Sequence, residues 1–443
     1  MEIIEVFSLE DKLSGIILSS GGQQLFENSE ELKPLSVGNF RVAPWGVDNN
    51  LPTSLRLKIE KSEIISTNLR FNRDVAYGLG PMLVKILRDS NGKVADYIPI
   101  EDGKEFEFFD RNDISMFVLE QLTDLVYFHN SFAEIIPEEK GTSIYSIKHL
   151  EAEFSRWSVA NTKGIIENHM YADQWVRPNA DSIQRSQVID EFNALMDAKT
   201  RIAVNRNRMV YPVYMPSPGR PYYSRPEWYS VFESGWYDHS VSIPALKKAI
   251  LKNNLGVKFI VYISPKYWEE VLRMKKIDPT DEKAVKVAKE EEKKNFQNFL
   301  SGVDNANKAI MTVKEMVPAG NSAIEHKWIE IIPVKNDMTG GEYIPDIESV
   351  ANIISYAMGV HPSLIGAVPG KTGGSMSGTD KRELFMIKQA LMKPLVDRVL
   401  RPLRLVHQLN GWSKDITIVV PEFLFTTLDQ NKSGKQQSTT KTI

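Results

Sequence analysis

The chain has no cysteine in its 443 residues. Disulfides, thiol nucleophiles and cysteine-bound zinc are therefore excluded, and an intracellular assembly route fits. No apolar run reaches the ~18 residues that a bilayer span needs. The opening Met1-Glu2-Ile3-Ile4-Glu5-Val6 has neither the basic region nor the apolar core of a secretory signal. An excess of one charge is also missing: 54 basic against 57 acidic residues leave a net charge of -3. A protein that grips phosphate is ordinarily basic, so tight nucleic-acid binding is not expected. The seven histidines (129, 149, 169, 239, 326, 361 and 407) are scattered, with no pair at helical metal-ligand spacing.

What is present is an ordinary globular composition, 42% hydrophobic and 25% charged, over a length that suits two or three domains. The most informative stretch runs from Asp346 to Gln408. Apolar residues at 347, 350, 351, 353, 354, 357 and 358 form a helical stripe. Gly359 with Pro362 beyond it predicts the end of that helix, with His361 as a structural residue there. The segment Gly366–Gly378 follows, with six glycines and prolines that no regular element can cross. A second helix is predicted from Thr379 or Asp380, and Asp380 as cap would place Glu383 in capping-box position. Its apolar face runs through 384, 387, 391, 395, 399, 403, 406 and 409. Pro394 falls inside the pattern and predicts a kink rather than a stop, with Pro402 as a second possible bend.

Taken in order, the chain begins with a short strand at 16–18 and a turn-rich segment, Arg41–Pro52, in which Trp45 staples an irregular loop to the core. Helices are expected over 51–75, and a hairpin over 82–87 and 95–100 about an Asp-Ser-Asn-Gly turn. A helix over 113–127 and strands at 131–136, 146–150, 154–159 and 165–171 predict an α+β domain. A helix is expected over 184–197, a boundary in the Pro- and Tyr-rich 208–230, and a long helix over 226–253 containing Pro244. Lysines near a helix C-terminus suit its dipole. Residues 257–264 predict a strand and 265–300 charged helix with a solvated face. Strands follow at 309–312, 328–333, 416–420 and 422–426. The polar stretch 429–443 lacks an apolar face and is expected to be disordered.

Two apparent catalytic motifs fail on spacing. Gly366-Ala-Val-Pro-Gly-Lys-Thr372 has three residues where a phosphate-binding loop needs four. Gly373-Gly-Ser-Met-Ser377 lacks the last glycine of a nucleophile elbow. A nucleotide-binding or hydrolytic enzyme using Gly366–Gly378 stands as the alternative reading.

The segment Gly359-Val360-His361-Pro362-Ser363-Leu364-Ile365-Gly366, with Lys381-Arg382-Glu383 and Lys393-Pro394 after it, resembles the portal proteins of tailed bacteriophages. Trp45-Gly-Val-Asp-Asn-Asn-Leu-Pro52 looks like an early segment of some of them. The resemblance extends loosely over about residues 40–428. It implies an α+β portal-like fold: a wing over 1–225, stem helices over 226–256 and 343–365, a small α/β clip over 257–342, and a channel loop over 366–379. A kinked helix over 380–410 would join stem to wing, and return strands would lie within 411–428. The tail at 429–443 would leave little or no crown, a departure from larger members.

By the same resemblance the protein is not an enzyme, uses no cofactor or metal, and forms a homo-oligomeric ring, with a dodecamer expected, at one capsid vertex. The ring would pass double-stranded DNA without sequence specificity during packaging and ejection. Its partners would be the terminase large subunit, a head-tail adaptor, and the major capsid protein or scaffold, with no membrane. It would lie in the virion, and in host cytoplasm during assembly. Lys371, Thr372, Ser375 and Ser377 would line the channel loop, and Lys247, Lys248 and Lys252 would face the channel from the stem. Lys275, Lys276, Glu290 and Lys293 would meet terminase or adaptor. A non-ring phage structural protein is the remaining alternative.

Overall fold

A computed structural model describes residues 6–8, 14–16, 34–38, 40–46, 48–253, 259–301, 314–319, 322–333, 344–365 and 378–423. The chain divides into two compact units, one formed by Met1–Val241 with Ile344–Ile443 and the other by Ser242–Tyr343.

The larger unit opens with two small hairpins, β1 (Val6–Ser8) with β2 (Ser14–Ile16), and β3 (Leu35–Val37) with β4 (Phe40–Val42). The helical stretch expected over 51–75 is two helices, α1 (Leu51–Ile59) and α2 (Glu63–Tyr77). Ser62 separates them and caps α2 by accepting the Ile65 N–H. The expected hairpin follows as β5 (Met82–Arg88) and β6 (Val94–Pro99), then α3 (Gly103–Arg111) and α4 (Ile114–Phe128). Asp113 caps α4 with its carboxylate on the Met116 N–H.

The main sheet is built from β7 (Asn130–Pro137), β8 (Ile144–Leu150), β9 (Ser155–Trp157), β10 (Asn168–Tyr171), β11 (Gln184–Val188) and β12 (Met209–Tyr214). Their spatial order is β8-β7-β12-β11-β10-β9, and only the β11–β12 pair is parallel. Two sequence expectations fail here. Residues 184–188 form a strand, and the helix begins only at α5 (Ala194–Val204), after a 3-10 turn at Glu191–Asn193. The apolar spacing of Val188, Phe192 and Leu195 mimics a helix, whereas backbone pairing with β10 and β12 decides the conformation. The Pro/Tyr-rich stretch expected to be a boundary holds β12 inside the sheet. Pro212 is tolerated because β11 pairs only as far as Val210, so one side of β12 is open there.

After a 3-10 turn at Glu227–Tyr229 come α6 (Ser230–Glu233) and α7 (Trp236–Asn253). Gly235, at φ +81°, breaks the single helix expected over 226–253.

The smaller unit contains β13 (Phe259–Ile263), α8 (Pro265–Met274), α9 (Glu282–Ser301), β14 (Lys314–Ala319), β15 (Ser322–Lys327) and β16 (Ile329–Pro333). β13 pairs with β16, and β14 with β15. The helical stretch expected over 265–300 breaks between α8 and α9, where Lys276 takes a left-handed φ of +52°. The 314–327 hairpin was not anticipated, and the expected strand at 309–312 lies outside the described residues.

The larger unit resumes with α10 (Ile344–Ala357), α11 (Pro362–Ile365), α12 (Gly378–Leu409) and β17 (Ile416–Val419). β17 pairs with β5 and completes a three-stranded sheet with β6. α2, α4 and α12 pack on one another, α4 also packs on β7, and α10 packs on α2. α12 runs unbroken through Pro394 and Pro402. It begins at Gly378, so Asp380 lies inside its first turn and is not the cap expected from the sequence.

Candidate functional site

One closely tied feature of the larger unit is the C-terminal end of α10. Gly359 at φ +62° lets the chain leave the helix in a Schellman turn, with Val360 N–H on Ser355 O and Gly359 N–H on Tyr356 O, both 2.9 Å. Carbonyls left free at a helix end need outside donors. Asn72 of α2 supplies one to Met358 O at 3.1 Å, and Lys388 of α12 donates to Gly359 O at 2.9 Å. Asn68, on the turn before Asn72, reaches Ser355 Oγ at 3.3 Å. All three donors are buried, Lys388 to 5% exposure. Burial pulls the Lys388 ammonium down to about 8. His361 then takes its expected place at the helix end, its Nδ1 accepting the Ser363 N–H to cap α11.

A second polar centre underlies the segment around Trp45. Trp45 stacks on Tyr223 with ring centroids 4.3 Å apart, and meets Phe128 edge-on at 6.1 Å. The Tyr223 hydroxyl donates to Ala43 O and accepts from Trp157 N–H, at 2.9 and 2.8 Å. Arg156 is fully buried, and its hydrogen bonds go to oxygens of Asn49, Ala152, Glu153 and Ser155. Its guanidinium lies 5.4 Å from the Trp45 ring and 5.3 Å from that of Trp175. Desolvation lowers its pKa to about 10. Burial and the nearby Arg156 charge lower buried His169 to about 3. A small open cavity of about 160 Å³ lies beside Trp45, lined in part by Pro44, Pro221, Tyr222 and Tyr229.

Lys371, Thr372, Ser375 and Ser377 lie outside the described residues. Lys247 and Lys248 are exposed on α7, and Lys252 is within the same helix. Lys275 is engaged with Glu291 at 2.7 Å, which raises its pKa and ties α8 to α9. Lys276, Glu290 and Lys293 are exposed. Pro394 is exposed inside α12. Sequence reasoning missed Asn68, Asn72, Lys388 and Arg156. The only available signal was the pair of asparagines one helical turn apart on an otherwise apolar helix face.

Among the described residues, no group of three or more His, Asp or Glu is placed to hold a metal ion. No helix among them is long and apolar enough to cross a membrane.

No protein-family model matches this sequence, and no curated protein does. Solved structures match the fold. A chain of the virion of a native gene transfer agent particle superposes with TM-score 0.52 at 12% identity, over 83% of this chain and 82% of that one. A chain from the neck of a native gene transfer agent particle, computed with C12 symmetry, gives 0.51 at 12% identity over 90% and 88%. A chain from the neck of the empty particle, computed with C6 symmetry, gives 0.52 at 13% identity over 90% and 89%. The mixed α+β fold of this chain is thus one found in chains of phage-like particles and their necks.

Proposed function

We propose that this protein is a portal-type subunit of a phage-like particle. It forms a ring at one capsid vertex, serves as the conduit for DNA during packaging and ejection, and offers docking surfaces to a terminase motor and a head-tail adaptor. The observation that carries this reading is the fold likeness, over about nine-tenths of both chains, to a chain in a neck computed with C12 symmetry. The portal-like segment supports it independently, since its first residues, Gly359 and Val360, fall where a helix ends in a tightly tied turn.

In this reading α7 and α10 are the stem helices, and Ser242–Tyr343 contains the clip. The channel loop is 366–379, and the helix over 380–410 links stem to wing. Exposed Lys247 and Lys248 face the lumen with Lys252, and Lys371 adds one positive charge per copy. A sparse ring of lysines on a near-neutral protein gives weak, salt-sensitive and sequence-independent phosphate contacts, which lets DNA slide. Exposed Lys276, Glu290 and Lys293 are available to terminase or adaptor. Lys275 is less so, because Glu291 holds it. The reading requires no catalysis, cofactor or metal.

Heads assembled without this chain test the proposal. They are expected to contain no DNA, with packaging restored by supplying the chain in trans; DNA-filled heads in its absence would overturn it.

A further inference from the structure

The dipeptide Asn-Gly occurs twice in the chain, at Asn91-Gly92 and at Asn410-Gly411. An asparagine in this setting carries its own reaction. The next backbone nitrogen can attack the side-chain carbonyl carbon, and glycine, with no Cβ, leaves that approach open. The fold puts the two copies in opposite surroundings.

Asn91 and Gly92 sit at the tip of the β5–β6 hairpin, where every residue from Leu87 to Asp96 is exposed. The backbone of the tip is ordered. Asp89 O accepts the Gly92 N–H at 2.9 Å, and Asp89 Oδ1 accepts the N–H groups of Asn91 and Lys93 at 2.9 and 2.8 Å. The Asn91 side-chain amide, by contrast, has no hydrogen-bond partner among the described residues. A Cβ placed on Gly92, which has a φ of +75°, would meet nothing within 4 Å, so no neighbouring element encloses the tip. The attacking nitrogen is restrained by the turn bond to Asp89 O, which water can replace at an exposed tip.

Asn410 lies at the end of α12 and is half-buried. Its side chain bridges to β8: Oδ1 accepts the Ile144 N–H at 2.6 Å, and Nδ2 donates to Ile144 O at 3.5 Å. Its own N–H is bonded to Val406 O at 2.9 Å and that of Gly411 to Gln408 O at 3.3 Å. Bringing Cγ of Asn410 onto the Gly411 nitrogen means breaking the tie between α12 and the main sheet.

We propose that Asn91 is a site of self-catalysed deamidation, and that the fold protects Asn410 from the same reaction. The Gly92 nitrogen forms a bond to Asn91 Cγ and gives up its proton to solvent base. The side-chain amide nitrogen takes a proton and leaves as ammonia. Water then opens the five-membered imide at either carbonyl. One opening gives aspartate, and the other gives isoaspartate, with the main chain running through the former side chain. The sum is one water consumed and one ammonia released, with no oxidant or cofactor. The reaction quickens as pH rises, because the attacking nitrogen must shed its proton. The product places a new carboxylate two residues from Asp89, and isoaspartate also lengthens the backbone across the turn. The site stands whether or not the chain forms a ring.

The full chain, held folded in mildly alkaline buffer and sampled over time by peptide mapping with mass spectrometry, tests this. The peptide with Asn91 is expected to convert to its acid forms about tenfold or more faster than the peptide with Asn410, since the latter reacts only through local opening. In concentrated urea both peptides are expected to convert at similar rates, because only the dipeptide then matters. Equal rates in the folded chain, or Asn410 converting first, would overturn the proposal. So would an Asn91 that stays intact in the folded chain while it converts in urea.

Discussion

Lys388 Nζ donates to the carbonyl of Gly359 across 2.9 Å, and so ties α12 to the last turn of α10. The lysine is buried, and that burial pulls it down to about 8 from its ordinary 10.5. Between those two values the unfolded chain binds the proton more tightly than the folded one, so stability from this group rises with pH across that window. Below it both states are protonated, and the full cost of burying the ammonium is present. Wild type compared with Lys388→Met is therefore expected to gain about 2–3 kcal/mol between pH 7.5 and pH 10.5. Urea unfolding of both proteins at the two pH values measures this, and parallel pH profiles would contradict it.

Gly359 and Gly78 make a matched pair of substitutions. At Gly359 the φ is +62° and an added Cβ would sit 3.6 Å from Lys388 Nζ, an ordinary contact. Gly359→Ala is therefore expected to cost only the left-handed conformation, about 1–2 kcal/mol. At Gly78 the φ is +54° and the Cβ would meet Pro421 O at 2.6 Å. Gly78→Ala is expected to lower the melting temperature clearly more than Gly359→Ala, because a backbone oxygen must also move.

Arg156 anchors the polar core behind Trp45. Arg156→Met keeps most of the volume but leaves the carbonyls of Asn49, Ala152 and Ser155 without this donor. A loss of about 3–5 kcal/mol is expected. Arg156→Lys is expected to recover only part of it, since one ammonium cannot span the positions that the planar fork reaches. Equilibrium unfolding of both variants checks the order.

Tyr223→Phe removes a hydroxyl that bridges Ala43 O and Trp157 N–H while keeping the ring stacked on Trp45. The expected cost is about 1–3 kcal/mol with unchanged near-ultraviolet signal from the Trp45 stack. Trp45→Ala is expected to cost more, about 3–5 kcal/mol, and to flatten that signal.

Much of the fold was legible because local signals and tertiary packing agree. The helix end at Gly359, the hairpin at 82–99 and the helix at 114–128 each join a turn or cap residue to an apolar period. Legibility failed where partners distant in sequence decide. β11 exists because β10 and β12 pair with it, and the helix-like spacing of its apolar residues says nothing of them. Lys388 looks solvent-facing in the sequence, and only the arrival of Gly359, twenty-nine residues earlier, turns it inward. The apolar stripe of α12 was visible as one continuous face; that Ile387 and Leu391 remain exposed on it was not, because exposure depends on the helices packed against Leu395 and beyond.

The central claim is a closed ring, and the most direct test is native mass spectrometry of the purified chain with negative-stain imaging of the same sample. The account predicts an assembly of about twelve copies of the 50.3 kDa chain around a central hole. A protein that remains monomeric or dimeric at every concentration, and also when produced together with its capsid and scaffold proteins, would contradict it.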